Sequence, residues 1–130
     1  MILNIIICYN YTDNIKKKEE LMKNNPKLIN FTTQDFMSEK ELELASFRWD
    51  QVKDSYYKRL KELGLLRFVS LRIWNKENIA RLGFVFEYKD EKAFKACLPV
   101  WKEIDAMESE DMVIKTFSNR GIVLEDTILG

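Results

Sequence analysis

The amino-acid sequence predicts an α+β fold in which helices cover one face of an antiparallel sheet. Three features lead to this prediction: a long helical stripe of apolar residues, two alternating segments joined by a short polar turn, and a second helical stripe before a final alternating segment. The 130 residues suffice for one domain with an apolar core and are too few for two. We therefore expect residues 1–130 to form a single α+β domain.

The N-terminal quarter of the chain predicts a strand and a helical region. Leu3–Tyr9 is apolar on both faces at its centre, as in a strand that is covered on both sides. Thr12 or Asp13 can then cap a short helix over Asn14–Lys23. The segment that follows, Lys27–Thr33, is predicted only as a short extended piece.

The first long stripe predicts a helix with recognisable ends. Ser38 and Glu41 form the sequence signature of a capping box, and Gly64 is a typical C-terminal stop. The apolar positions between them are Leu42, Ala45, Trp49, Val52, Tyr56, Leu60 and Leu63. A single helix over Glu39–Leu63 accounts for the whole stripe. The alternative is a strand over residues 41–49 with the helix beginning after it.

The second half of the chain predicts a hairpin, a helix and a strand. Leu65–Trp74 and Ile79–Tyr88 alternate with period two and are joined by the polar turn "NKEN". Asp90 caps a helix that Pro99 should kink. Its apolar face is Phe94, Cys97, Leu98, Trp101 and Ile104. A final strand is predicted from about Met112, with "SNRG" as a turn or bulge.

The predicted order of strand, helical region, strand, strand, helix and strand is the βαββαβ pattern of the ferredoxin-like fold. Several folds of this class bind RNA through aromatic residues on their strands. Ala80–Tyr88 does not fit that motif, because in one register Val85 and Gly83 occupy aromatic positions and in the other Glu87 does. The chain also balances 21 basic against 21 acidic residues, which removes the electrostatic signature of a nucleic-acid binder.

Composition limits the chemistry further. The chain contains no histidine, which excludes the usual Ser-His-Asp and Cys-His sites and histidine-ligated metals. We expect no metal and no cofactor. Cys8 and Cys97 lie within apolar patterns without CxxC spacing, which favours buried thiols over a disulfide or redox pair.

No apolar run reaches the length of a membrane helix, and the segment "MILNIIICYN" lacks the flanks of a signal peptide. We therefore expect a cytoplasmic protein without membrane contact.

Three segments carry a resemblance to a known group: "LGLLRFVSLRIWN", "IARLGFVFEYKDEKAFKAC" and "MVIKTFSNRGIVLEDTI". Together they resemble the dimeric α+β barrel group, which includes the antibiotic-biosynthesis-monooxygenase-like proteins. The resemblance implies a homodimer whose two sheets face each other. We expect the interface to lie on the hairpin face that carries Phe68, Trp74, Phe84 and Phe86, since these would otherwise form a large exposed apolar patch.

The same resemblance implies a small ligand between sheet and helices, which some members oxidise with oxygen and without metal. Members that degrade haem use an Asn, a Trp and a His; here Trp74 precedes Asn75, but histidine is missing. The candidate ligand-binding residues are Tyr56, Arg72, Trp74, Arg81 and Trp101. An arginine among aromatic rings can hold a carboxylate, phenolate or enolate. The alternative is an ordinary aromatic core with the arginines in solvent or paired with Glu87.

Three hypotheses for the function follow. The first is a protein that binds a small aromatic or acidic ligand, with cofactor-independent monooxygenase-like activity. The second is a non-catalytic dimeric module for protein interaction, and the third is an RNA-binding domain. A cavity that contains an arginine or a tyrosine favours the first hypothesis, whereas a tightly packed interior favours the second. Whether the protein is an enzyme is left open by the sequence.

Overall fold

Six helices and strands in βαββαβ order form the main body of the structure. The computed structural model describes residues 13–16, 25–108 and 110–130. The elements are β1 (Leu28–Phe36), α1 (Glu39–Leu63), β2 (Leu65–Arg72), β3 (Ala80–Tyr88), α2 (Glu91–Glu108) and β4 (Lys115–Ile122). The strand predicted over Leu3–Tyr9 lies outside the described residues. Of the helix predicted over Asn14–Lys23, residues 13–16 belong to a helical turn and 17–23 lie outside them.

The four strands form one antiparallel sheet in the order β2-β3-β1-β4. This order confirms the predicted ferredoxin-like fold. The first strand is Leu28–Phe36, a nine-residue strand at the centre of the sheet, where Leu28 pairs with Tyr88 of β3 and with Ile122 of β4. The sequence predicted only a short extended piece here. The central position was not evident because Asn30 and Gln34 interrupt the apolar alternation of this strand.

Helix α1 is a single helix, so residues 41–49 are helical and the alternative strand is wrong. Ser38 Oγ accepts a hydrogen bond of 3.2 Å from the backbone N–H of Glu41. At the other end, Gly64 has φ 107°, and its N–H donates to the carbonyl oxygens of Leu60 and Lys61. A Cβ there would lie 2.5 Å from the Ala93 Cβ, so the left-handed backbone and the contact with α2 both require glycine.

Helix α2 is capped as predicted, because Asp90 Oδ1 accepts a 2.8 Å hydrogen bond from the Ala93 N–H, and Pro99 lies inside the helix. The core between the helices and the sheet includes the fully buried Leu60, Tyr88 and Cys97. Burial raises the pKa of the Cys97 thiol to about 11. Cys97 is therefore a protonated core group, in agreement with the predicted buried thiol; Cys8 lies outside the described residues.

The segment "SNRG" continues strand β4, so the predicted turn or bulge is wrong. Asn119 pairs with Phe31, and Gly121 pairs with Ile29. Pairing along the whole length of the central strand β1 outweighs the local turn preference of these residues. The strand ends at Ile122, and no further strand follows it in residues 123–130.

The two faces of the sheet differ from the prediction. Phe68, Phe84 and Phe86 point toward the helices and pack in the core, so they do not form the predicted interface face. Trp74 lies beyond β2 and is 88% exposed. The face turned away from the helices, called the open face below, carries Phe31, Val69, Leu71, Val85 and Phe117.

Gly83 stands next to Phe84 in β3. It lies on the open face, where a Cβ would lie 3.1 Å from the Ile73 side chain and 3.5 Å from the Phe31 ring. Its small size lets these two neighbours pack over β3. In the described parts of the chain, no helix is both long enough and apolar enough to span a bilayer.

Candidate ligand-binding site

A cavity of about 560 Å³ lies between the helix-facing side of the sheet and the two helices. Its lining comes from all four strands, from α1 near Trp49 and from α2 between Phe94 and Glu108. Thr116 and Arg120 of β4 also line it and are exposed, so the cavity opens to solvent along this edge strand. Its volume falls within the range of about 300–1,000 Å³ that is typical of small-molecule sites.

One wall of the cavity is aromatic. It consists of Trp49, Phe68, Phe84, Phe86 and Trp101. Trp101 meets Phe86 edge to face at 4.8 Å between ring centroids, and Phe68 stacks on Phe84 at 5.8 Å. These contacts fix the rings in place, so the wall is a preformed apolar surface for a flat ligand.

Trp101 and Tyr88 form a hydrogen bond with each other. The Trp101 indole N–H donates a 2.9 Å hydrogen bond to the Tyr88 hydroxyl oxygen. Burial raises the pKa of Tyr88 well above its usual value, so the phenol remains neutral. Tyr88 is therefore unsuited to act as a base in this site.

A polar row on β1 and β4 lies beside the aromatic wall, since Asn30 pairs with Phe86 and Thr32 with Phe84. Asn30 Nδ2 donates to Thr32 Oγ1 at 2.8 Å, and the Thr32 and Ser118 hydroxyl oxygens are 2.7 Å apart. Asn30 is only 6% exposed and Thr32 8%. Asn30 Oδ1 is buried and accepts no hydrogen bond from any described residue. An unsatisfied buried acceptor costs about 1–3 kcal/mol.

The polar row ends at two carboxyl groups on α2. Asp105 and Glu108 are one helical turn apart, and both line the cavity. Burial and the neighbouring Asp105 charge raise the pKa of Glu108 to about 7, although a hydrogen bond with the Gln34 amide opposes the rise. Burial also raises the pKa of Asp105. A carboxyl group with a pKa near neutrality can take up or release a proton under physiological conditions.

The structure brings two of the five predicted site residues to the cavity, Arg72 and Trp101. Arg72 forms an ion pair with Glu39 and donates to the Arg81 carbonyl oxygen at 3.3 Å. Arg72 shares the helix-facing side with Phe68, and Arg81 is on the open face with Val85, as alternation predicts.

The other three predicted residues lie away from the cavity. Arg81 donates to Asp35 Oδ2 at 2.9 Å on the open face, and this partner holds the pKa of Asp35 below its usual value. The Tyr56 ring lies beneath the guanidinium of Arg59, and its hydroxyl donates to Glu103 at 3.4 Å. Trp74 is exposed beyond the end of β2. The role of all five in ligand binding stays a prediction.

In residues 13–16, 25–108 and 110–130, no cluster of three or more Cys, Asp or Glu side chains is arranged to hold a metal ion.

Comparison with known proteins agrees with this architecture. The family model of a domain of unknown function, DUF6974, matches residues 25–123, which contain all six elements and the whole cavity lining. The chain belongs to the DUF6974 family. A search of functionally curated proteins found no match for this DUF6974 chain.

Solved structures show the same fold. The DUF6974 chain is 27% identical to a dimeric ferredoxin-like protein from an uncultured marine organism, with a TM-score of 0.71. The match covers 79% of this chain and 100% of that one. A second such protein, also from an uncultured marine organism, is 28% identical with a TM-score of 0.72, over 83% of this chain and 96% of that one.

SnoaB from Streptomyces nogalater, a cofactor-independent oxygenase, is similar in fold alone. It is 14% identical with a TM-score of 0.52, over 77% of this chain and 96% of that one. The predicted ferredoxin-like fold is confirmed, and so is the predicted similarity to the antibiotic-biosynthesis-monooxygenase-like group at the level of the fold.

Sequence reasoning missed the residues that make the DUF6974 cavity polar. Asn30 and Gln34 were missed because β1 was not identified as the central strand. Glu108 stands in the acidic stretch "MESED", which has the composition of a solvated helix end. A usable signal was present, because Asp105 and Glu108 follow Trp101 by four and seven residues and so lie on the same side of α2 as Trp101.

Proposed function

We propose that this DUF6974 protein is a homodimer that binds a small aromatic ligand in the cavity between sheet and helices. The observation that carries the proposal is a cavity of about 560 Å³ whose preformed aromatic wall lies beside the polar side chains of Asn30, Thr32 and Ser118. A protein that only presents its surface to a partner has no need of a cavity of about 560 Å³ with this lining. The cavity therefore favours ligand binding over the non-catalytic interaction module.

The reaction that we propose for this site is oxygenation of the bound ligand by dioxygen without a cofactor. Glu108 supports it, because a carboxyl group with a pKa of about 7 is suited to remove a proton from an acidic C–H or O–H group of an aromatic ligand. A fold relative is a cofactor-independent oxygenase, which adds support by analogy of fold.

The proposed reaction balances without an external reductant. Proton transfer to Glu108 leaves an electron-rich ligand anion, and dioxygen accepts its electrons. A ring methylene group becomes a carbonyl group; one oxygen atom of dioxygen enters the product, and the other leaves as water with the two hydrogens that the carbon loses. The aromatic wall excludes water from the reacting carbon, and the polar row holds the ligand in one orientation.

Oxygen uptake tests this reaction. The purified protein is incubated with tricyclic phenols and enolisable aromatic ketones in an oxygen electrode, and products are identified by mass spectrometry in ¹⁸O₂. We expect one labelled oxygen atom per product molecule and a rate that Glu108→Gln lowers by about 100-fold. Ligand binding without oxygen uptake would contradict the oxygenation and leave the binding function standing. A protein that binds no aromatic compound would favour the non-catalytic interaction module.

The proposed homodimer is supported by the open face. Phe31, Leu71 and Phe117 are 37%, 40% and 67% exposed there. Contiguous exposed apolar side chains on a sheet usually mark an interface. Two solved relatives of similar sequence are dimeric ferredoxin-like proteins. We infer that a second copy covers the open face, so that two sheets enclose these residues.

A further inference from the structure

The helix-facing side of the sheet changes from aromatic to charged toward its β4 edge. Arg120 of β4 pairs with Asn30 of β1, which pairs with Phe86 of β3, and all three line the cavity. Neighbouring strands lie about 4.8 Å apart, so Arg120 stands about 10 Å from Phe86 across the sheet. An aromatic ligand beside Phe86 and Trp101 can therefore extend a substituent over Asn30 to the guanidinium of Arg120.

Arg120 lies at the mouth of the cavity without a carboxylate partner. It is exposed, and its guanidinium lies 4.9 Å from the centre of the Phe94 ring of α2. Its positive charge also opposes the rise that burial causes in the pKa of Tyr88. Among the described residues, the ion pairs are made by other side chains, and Arg120 takes part in none. A guanidinium with this placement can bind an anionic group that enters the mouth.

A hydroxyl donor lies beside Arg120. Ser118 is half-buried, lines the cavity and stands two residues before Arg120 on the same side of β4. The Thr32 and Ser118 hydroxyls have two protons, and the bond between them uses one. Because Thr32 already accepts from Asn30, a bond donated by Thr32 to Ser118 continues that chain. The Ser118 proton is then left for an acceptor on a ligand.

The far end of the cavity has the opposite character. Gln34 stands four residues along β1 from Asn30, which is about 13 Å, and its amide bonds the Glu108 carboxyl group. Negative charge from Glu108 disfavours an anion at that end, whereas Arg120 favours one at the mouth. The cavity therefore has a polarity that orients a charged ligand.

We propose that the cavity selects aromatic carboxylates, whose acid group binds Arg120 and the Ser118 hydroxyl at the mouth while the ring lies against Phe84, Phe86 and Trp101. This inference rests on the proposed function, since it assumes that the cavity binds an aromatic ligand. It adds the charge that the ligand carries and the direction in which it enters.

Three naphthalene derivatives of nearly equal ring area test the proposal by isothermal titration calorimetry at neutral pH. Naphthoate carries a negative charge, its methyl ester has the same acyl group without the charge, and naphthylmethylamine carries a positive charge. We expect naphthoate to bind about tenfold more tightly than the ester, and the amine to bind no more tightly than the ester. A tenfold difference corresponds to one hydrogen bond with a charged group.

Matched variants assign the preference to Arg120. Arg120→Met removes the charge and keeps much of the volume, so it should lower the affinity for naphthoate about tenfold and leave that for the ester unchanged. Arg67→Met removes the same charge from β2, at the opposite edge of the sheet and outside the cavity lining, and should leave both affinities unchanged. Arg120→Lys keeps a charge but loses the planar fork, so it should retain part of the preference. Circular dichroism checks that each variant folds.

The outcomes separate this inference from the proposed function. Equal affinities of naphthoate and its ester, or tightest binding of the amine, would overturn the selectivity for carboxylates while showing that the cavity takes aromatic ligands. Equal effects of Arg120→Met and Arg67→Met on naphthoate would overturn the role of Arg120. Failure of all three compounds to bind would overturn both the proposed function and this inference.

Discussion

The two faces of the central strand β1 reverse the usual order of a sheet that is covered on one side. Its helix-facing residues include the polar Asn30, Thr32 and Gln34, while its open face carries Ile29 and Phe31. In a monomeric sheet of this kind, apolar residues normally face the helices and polar residues face solvent. The proposed ligand would cover the inner polar row, and the proposed second copy would cover the outer apolar surface.

The two faces also differ in what fixes their charges. On the open face, Arg81 and Asp35 form a close pair that satisfies both groups. On the inner face, burial raises the pKa values of Glu108 and Asp105, and repulsion by Asp105 raises that of Glu108 further. A satisfied ion pair contributes to structure, whereas a perturbed carboxyl group in a cavity is typical of a functional site.

Adjacent residues on β3 provide the largest contrast between the faces. Phe84 points toward the helices, and Val85 points to the open face. Phe84→Asp places a charge in the core, so we expect a loss of about 3–5 kcal/mol in the free energy of unfolding. Val85→Asp should retain the fold and dissociate the dimer. Urea denaturation and sedimentation equilibrium measure the two effects. Equal stability losses in both variants, with no change of oligomeric state, would contradict the assignment of faces.

Two equally exposed phenylalanines test the interface itself. Phe117 on the open face is 67% exposed, and Phe47 on α1 is 62% exposed. Because only Phe117 lies on the proposed interface, Phe117→Glu should raise the dimer dissociation constant by about 100-fold, and Phe47→Glu should leave it unchanged. Sedimentation equilibrium at micromolar concentration gives both constants. A wild-type protein that is monomeric under these conditions would rule out the proposed homodimer.

The raised pKa of Glu108 on the inner face should make the stability of the protein depend on pH. Its pKa of about 7 in the folded state exceeds the ordinary 4.5, so the folded state binds the proton more tightly. Stability therefore falls as pH rises between these two values and levels off above about pH 7. After allowance for partial exposure, Glu108→Gln should be more stable than the wild type by about 1–2 kcal/mol at about pH 8, with no difference at about pH 4. Thermal unfolding at both pH values measures this, and a pH-independent difference would contradict it.

The smallest expected effect concerns the reaction of Cys97 with a thiol reagent. The thiol is fully buried, and its pKa is raised to about 11. Because only the thiolate reacts rapidly, Cys97 should be modified by a thiol reagent only when the protein unfolds. Mass spectrometry after timed labelling in native buffer and in urea follows this residue separately from Cys8. Rapid native labelling of Cys97 would show that the core between α1 and α2 opens readily.

The sequence predicted most of the fold, because apolar stripes, caps and alternation are local signals. The single helix over Glu39–Leu63 and the hairpin of β2 and β3 follow from such signals. It did not predict which face of the hairpin meets the helices, since Phe84 and Val85 are both apolar and the choice depends on pairing with β1. For the same reason the sequence placed Phe68 and Phe86 at the interface.

The site was harder to predict than the fold. Arg72 and Trp101 were identified because arginine and tryptophan stand out on apolar elements. Asn30 was not, since a polar residue in a strand is normally assigned to solvent, and only the tertiary structure shows that it is buried. Glu108 was missed because its pKa depends on burial against β1, which local sequence does not reveal.

The central claim is that the inner face of the sheet binds an aromatic ligand, and side-chain amide resonances test it directly. In ¹H–¹⁵N spectra recorded during titration with naphthol, the amide groups of Asn30 and Gln34 should shift. Asn119, on the open face of β4, provides the matched control and should not shift. Shifts of Asn30 and Gln34 with Asn119 unchanged are the result that we expect. A spectrum in which Asn119 shifts and Asn30 does not, or in which none of the three shifts, would contradict the claim.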